Sequence, residues 1–213
     1  MIHATNIMPT ASFTTNPFAT RWTRPAACLF LFPPNTNIQQ LLDQLHRQQG
    51  WGQIVGPHGS GKSTLLKSLE PELENRGHQL AHYSLHQGQR QLPMKWSDNL
   101  LQDATQVVVD GFEQLSKLSR SRLKRYCRKF DKGLLITTHQ PLGVADLIHL
   151  QPDLATALRV VAHLQRNHPE VIQEGDVRRH YRHHSHNLRE LLFCLYDLFE
   201  KRRLEPGTSS SPV

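Results

Sequence analysis

The sequence predicts an α/β protein: a three-layer sandwich around a mainly parallel sheet of about five strands, with a small helical lid in its C-terminal part. Three observations lead there. Short apolar, β-branched runs alternate with helical periodicities through residues 35–165. A glycine-rich loop, Gly56-Pro57-His58-Gly59-Ser60-Gly61-Lys62-Ser63-Thr64, separates an apparent strand from an apparent helix. The most apolar strand, beginning Gln106-Val107-Val108-Val109, ends in the carboxylate of Asp110.

Residues 1–34 read as an N-terminal arm, partly disordered. The first 24 have little periodicity and are either mobile or draped over the core. The apolar run 26–32 stops at Pro33-Pro34, far too short to cross a bilayer. No acidic residue precedes Asp43, a bias shared with transit peptides, but residues 16–21 continue no apolar helical face and a plain polar arm is preferred.

The core occupies 35–165. Ile38, Leu41, Leu42 and Leu45 fall at helical spacing over 37–48, with Asn35 or Asn37 as cap. Strand 51–55 enters the glycine-rich loop; Leu65, Leu66 and Leu69 form the stripe of the helix leaving it, which closes near Gly77. Strand 79–85, a polar turn to Pro93 and a brief helix over 96–103 follow. After strand 106–110 comes a strongly basic helix over 119–132. Leu115, Leu118, Leu123, Tyr126 and Phe130 are placed on one side of it, and Arg120, Lys124, Arg125, Arg128 and Lys129 on the other. Strand 133–139 is stopped by Pro141, a fifth strand lies near 146–150, and a helix runs over 153–165. The lid-like segment 166–204 holds helices 171–181 and 187–203, the second striped by Leu188, Leu191, Leu192, Leu195, Leu198 and Phe199. Residues 205–213, rich in Pro, Gly and Ser, read as a disordered tail.

The loop fits GxxxxGK[ST] at each fixed position. Its glycines let successive backbone N–H groups face one cavity, Lys62 reaches outer phosphates, Ser63 holds magnesium, and the helix beginning near Lys62 adds its positive end. Gly56, Pro57, His58, Gly59, Ser60, Gly61, Lys62, Ser63 and Thr64 are therefore the candidate nucleotide contacts. Asp110 is the second candidate magnesium ligand, acting through the ion's water shell. Glu113 is the nearest candidate base: it reaches the site if the chain turns sharply at Gly111, and otherwise merely opens the next helix. Thr138 and His139, at the next strand end, are candidates for sensing the outer phosphate or positioning water.

A net charge of +7 with histidine neutral favours anionic partners, and the basic helix 119–132 is the candidate surface for nucleic acid or an acidic protein. Cys28, Cys127 and Cys194 are odd in number and lack CxxC spacing. This argues against a disulfide framework or zinc ribbon and for a reducing, cytoplasmic setting. His180, His183, His184 and His186 are interleaved with Arg178, Arg179 and Arg182, which favours a solvated basic face over a metal cluster.

On these residues the chain resembles the AAA+ and STAND group of P-loop ATPases, over about residues 50–203. The resemblance implies a P-loop NTPase fold binding ATP with Mg2+. The loop 56–64 stands as Walker A, residues 107–110 as Walker B and Thr138-His139 as sensor 1. Asn187-Leu188-Arg189-Glu190-Leu191 is similar to the GNxREL lid motif, which places Arg189 as the sensor 2 arginine near the γ-phosphate. Asp110-Gly111-Phe112-Glu113-Gln114-Leu115 is similar to a strand end of some STAND proteins, and residues 16–21 to the start of small bacterial P-loop proteins. Many family members put a glutamate directly after the strand aspartate, where this chain has Gly111. No guanine-reading NKxD occurs. Three functions remain open on the sequence: an ATP-binding, Mg-dependent ATP-hydrolysing switch; a small-molecule kinase; and a non-catalytic, nucleotide-dependent nucleic-acid-binding protein.

Overall fold

A computed structural model describes residues 15–23, 30–93 and 98–204, without the side chains of Trp22 and Thr23. Most of the arm, Cys28, the start of the helix expected over 96–103 and the tail 205–213 lie outside the described residues.

In chain order the elements are α1 (Thr20–Thr23), α2 (Ile38–Arg47), β1 (Trp51–Val55), α3 (Lys62–Asn75), β2 (Leu80–Ser84), α4 (Asn99–Asp103) and β3 (Gln106–Asp110). A 3-10 turn (Phe112–Gln114) then leads to α5 (Lys117–Lys129), β4 (Gly133–Thr138), β5 (Asp146–His149), α6 (Leu154–Gln165), α7 (Glu174–Tyr181) and α8 (Leu188–Leu204). The five strands lie in the order β2-β3-β4-β1-β5. Every neighbouring pair is parallel. All carboxyl ends therefore open on one edge, where ligands of open α/β sheets sit.

Period-two side-chain alternation divides the sheet into two buried faces. Val107 and Val109 of β3 and Leu134 and Ile136 of β4 pack with Leu101, Leu123 and Cys127 beneath α4 and α5. Val108, Leu135 and Ile54 face the other way, against Leu41 and Leu45 of α2 and Leu65 and Leu69 of α3. These are the three layers expected. A separate cluster gathers Ala157, Val161, Ile172, Val177, Leu191, Leu195 and Phe199 from the C-terminal helices, together with Phe18.

Local chemistry sets the helix starts. Asn37, rather than Asn35, caps α2: its side chain accepts from Gln40 N at 2.9 Å, and Gln40 Oε1 accepts from Asn37 N at 3.0 Å. Ser116 caps α5 by accepting from Ser119 N, so this helix begins and ends earlier than its sequence periodicity suggested. The apolar residues expected together on one side of it do not share a side. Leu123 and Cys127 are buried, whereas Leu118 is 75% and Phe130 51% exposed. Leu118 and Leu123, five residues apart, are about 140° apart around a helix and cannot share a face. Phe130 falls beyond the last helical residue.

Residues 15–23 are draped over the C-terminal helices. Phe18 is 1% exposed. Its ring meets Phe199 edge-on at 6.1 Å. Asn16 Nδ2 donates to Tyr196 O at 3.1 Å and to Glu200 Oε1 at 2.8 Å. Phe18→Ala is expected to lower urea-unfolding stability by about 3 kcal/mol, the cost of emptying a buried phenyl site. A loss below about 0.5 kcal/mol would mark the segment as peripheral.

Candidate nucleotide site

The loop leaves the carboxyl end of β1 and delivers the chain into α3 through Gly61, whose φ of +94° starts the helix. Lys62 is 9% exposed. Its ammonium donates to the loop's own carbonyls, Gly56 O at 2.7 Å and Pro57 O at 2.8 Å. Burial pulls the Lys62 pKa below the ordinary lysine value; the charges of Glu113 and Asp110 oppose that shift, and Arg189 reinforces it. Those three side chains therefore lie within electrostatic reach of Lys62. Ser60 Oγ is buried with no hydrogen-bond partner among the described residues.

β4 runs between β1 and β3, so its end stands between the loop and Asp110. Val109 pairs with Ile136, which sets Asp110 beside Thr137. Thr137 Oγ1 donates to Asp110 Oδ1 at 2.5 Å and accepts from Gly111 N at 2.8 Å. The neighbouring Thr138 hydroxyl is committed to Gln140 O at 2.8 Å. Thr137 is thus the threonine of this strand end that engages the carboxylate.

The chain turns sharply at Gly111. Its φ is +81°, and a Cβ there would stand 2.8 Å from Leu85 O, so no side chain fits. The turn carries Glu113 back toward the loop, with Oε1 3.2 Å from His139 Nε2 and Oε2 buried and unpartnered. Arg120, expected on the cationic side of the basic helix, reaches inward: its Nη2 donates to Glu113 O and its Nε to Leu115 O, both at 2.7 Å. The His139 ring also meets that of His58, with centroids 3.8 Å apart.

The start of α8 docks on the same loop. Leu188 N donates to Gly59 O at 3.1 Å. A Cβ on Gly59 would come within 1.9 Å of Asn187 Oδ1 and 3.2 Å of Arg189 Cβ. Asn187 Oδ1 meanwhile accepts from Glu190 N at 3.2 Å. Arg189 is exposed and enters none of the ion pairs among the described residues.

The structure therefore gathers the loop, Asp110, Glu113, His139 and Arg189 in one place, and leaves the Thr138 hydroxyl turned to a neighbouring carbonyl. Sequence reasoning missed three residues. Thr137 is identified only by strand register, and Arg120 is one arginine among many on its helix. Phe30, whose ring stands 3.5 Å from where a Gly61 Cβ would be, lies in a run read simply as apolar. In the histidine-rich segment, His186 Nδ1 is 3.1 Å from Pro152 O and His184 Nε2 is 3.3 Å from Cys194 Sγ. Among the described residues no three His, Cys, Asp or Glu side chains converge as metal ligands.

No protein-family model and no curated protein matches the chain. Solved structures do. Aquifex aeolicus DnaA bound to AMPPCP aligns with a TM-score of 0.56 at 12% identity, covering 83% of this chain and 63% of that one. A replication initiator DnaA bound to AMPPCP and single-stranded DNA aligns at 0.55 and 13% identity, over 84% and 64%. A DNA replication initiation factor aligns at 0.53 and 12% identity, over 78% and 63%. The chain thus spans less than two thirds of each of these structures. At such identities the likeness is one of fold: an AAA+-like P-loop architecture.

Burial lowers the His139 pKa; Glu113 raises it, and Lys62 and His58 lower it further. Because the folded value is depressed, the stability linked to this histidine is present above its unfolded value of about 6.5 and is lost as pH falls through the folded one. In an NMR titration His139 should have its midpoint below 6.5. Lys62→Met, which removes a like charge, should move that midpoint upward. A midpoint at or above 6.5 in the parent protein would contradict the site's electrostatics.

Proposed function

We propose that the protein binds ATP with Mg2+ at the loop 56–64, hydrolyses it, and acts as a switch in which the bound nucleotide alters the docking of α8 on the loop. The observation that carries this reading is the convergence of Lys62, Asp110, Glu113, His139 and Arg189 at the carboxyl edge of the sheet. Groups left unmet among the described residues fit a magnesium-nucleotide: a buried Ser60 hydroxyl and a Glu113 oxygen without hydrogen-bond partners, and an Arg189 cation without an ion pair. The fold shared with AMPPCP-bound DnaA supports the choice of a nucleoside triphosphate.

In this reading Ser63 and Asp110 hold the ion, which supplies charge neutralisation on the phosphates. Backbone N–H groups of residues 59–64 and the amino end of α3 bind phosphate oxygens. Lys62 exchanges its two loop carbonyls for phosphate. Thr137 fixes Asp110. Glu113, held from behind by Arg120 and in front by His139, orients and deprotonates water in place of the glutamate that Gly111 excludes. Arg189 lies on the lid beside the loop. It gives the two lid positions different affinities for an outer phosphate, the differential contact a switch requires.

Titration with ATP, ADP and GTP in magnesium, followed by phosphate release, tests the reading. Lys62→Ala should weaken ATP binding at least about tenfold, a loss of about 1.4 kcal/mol. Glu113→Gln should preserve binding and slow phosphate release about 100-fold, the contribution of a positioned base. Unaltered ATP affinity in Lys62→Ala overturns the proposal. Binding with no turnover in the parent protein transfers the weight to a non-catalytic, nucleotide-dependent binding protein.

A further inference from the structure

The nucleotide reading uses only Arg120 of α5, although this helix carries seven cations in thirteen residues. Its thirteen residues include Lys117, Arg120, Arg122, Lys124, Arg125, Arg128 and Lys129, and no acidic residue. None of these seven cations enters an ion pair among the described residues. A surface that serves only solubility mixes both signs of charge. Here like charges crowd one another: burial first, then the guanidinium groups of Arg128 and Arg120, push the Lys124 pKa below the ordinary lysine value. A polyanion relieves that repulsion.

The seven cations divide by what they already hold. Arg120 is committed to the carbonyls of Glu113 and Leu115. Lys124 donates to the carbonyls of Leu142 and Gly143. Arg128 stacks over Trp51, 5.2 Å from the ring centroid. Lys117, Arg122, Arg125 and Lys129 are exposed, Lys129 with its ammonium 5.2 Å from the Phe130 ring centroid.

Two shallow, open depressions on this helix share Arg125. The larger, about 460 Å³, is lined among the described residues by Lys117, Arg120, Ser121, Lys124, Arg125 and Arg128. The second, about 280 Å³, adds two rings to its cations: Arg122, Arg125, Tyr126, Lys129 and Phe130. Tyr126 and Phe130 lie 4.7 Å apart, tilted, with Phe130 51% exposed.

The eleven residue-to-residue steps from Lys117 to Arg128 extend about 16 Å at about 1.5 Å each. That is the rise of four to five nucleotides at about 3.4 Å per strand. Cations beside one exposed ring, Phe130, which the half-buried Tyr126 supports, suit a strand whose phosphates and unpaired bases are both accessible, because stacking requires bases that are not already paired. An acidic peptide would use the charges and leave the ring idle.

We propose that the outer face of α5 binds single-stranded nucleic acid, with Lys117, Arg122, Arg125 and Lys129 on its phosphates and Phe130, beside Tyr126, stacking a base. This surface stands apart from the nucleotide reading, since none of these residues touches the loop 56–64.

The test is fluorescence anisotropy with a labelled mixed-sequence single-stranded DNA of about 20 nucleotides. The matching duplex, a polyglutamate peptide and phosphatidylserine vesicles serve as competitors, and no nucleotide is present. The expected result is binding whose log K falls with log salt at a slope of about −3, from about four phosphates at about 0.7 each. Arg125→Gln should reduce that slope by about 0.7. Phe130→Ala should weaken the single strand about fivefold or more and leave the duplex unchanged. Both positions are exposed, and circular dichroism verifies that the variants fold. Lys62→Ala should bind the strand as the parent does, so failure of the ATP reading leaves this test intact, and strand binding can fail while ATP binding stands. Absent or salt-independent binding, preference for the duplex, or more effective competition by polyglutamate or vesicles overturns the proposal.

Discussion

A buried ammonium organises the site. Lys62 is desolvated where the chain passes from a strand end into a helix, and an unpaired charge there costs several kcal/mol. Two loop carbonyls satisfy part of it. Glu113 and Asp110 offset more of it through space, while burial and the Arg189 charge still leave the Lys62 pKa below the ordinary lysine value. The loop's shape, the strand-end carboxylate and the turn at Gly111 are thus parts of one electrostatic arrangement. Loss of either carboxylate withdraws charge that Lys62 depends on, even with the fold intact.

Strand order makes this arrangement possible. With β4 between β1 and β3, the loop and Asp110 are separated by one strand rather than adjacent, and the end of β4 fills the gap. Thr137 joins that strand end to Asp110 and to the Gly111 amide, so the chain leaves β3 in a fixed direction. A glutamate at position 111 would need a Cβ against Leu85 O and a left-handed backbone. Placing the carboxylate two residues later, on a 3-10 turn braced by Arg120, returns it to the same edge of the sheet by a different route.

Much of this was legible in the sequence, for identifiable reasons. Strands such as 106–110 and 133–138 are nearly continuous apolar runs because both their faces are buried, and such runs are hard to mistake. The loop declares itself through its glycines and Lys62, residues whose chemistry permits few substitutes. The rest depended on rotation and register. Composition groups Leu118 and Phe130 with Leu123 on one side of α5, but the Ser116 cap sets where the helix begins and geometry turns them away from Leu123. Thr137 and Thr138 differ by one step along a strand, which places their side chains on opposite faces. Only the pairing of Val109 with Ile136 decides which of them meets Asp110. Phe18 looked like part of an arm because its partner, Phe199, is distant in sequence.

The contact between α8 and the loop has a definite scale. α8 is anchored by Leu191, Leu195 and Phe199 in a cluster of its own, so its main stability does not come from the loop. What joins it to the loop is the Leu188 amide on Gly59 O and the approach of Asn187 to a residue without a Cβ. A single such hydrogen bond contributes about 1 kcal/mol net. A weak joint between two separately packed bodies is easily biased. By linkage, a ligand that favours the loop with α8 released by about 1 kcal/mol binds about fivefold less tightly when α8 is held down, and α8 docks more weakly by the same factor when that ligand is bound. Gly59 is therefore the point where such coupling is gained or lost. A side chain there would separate the two bodies by steric force without altering the core of either.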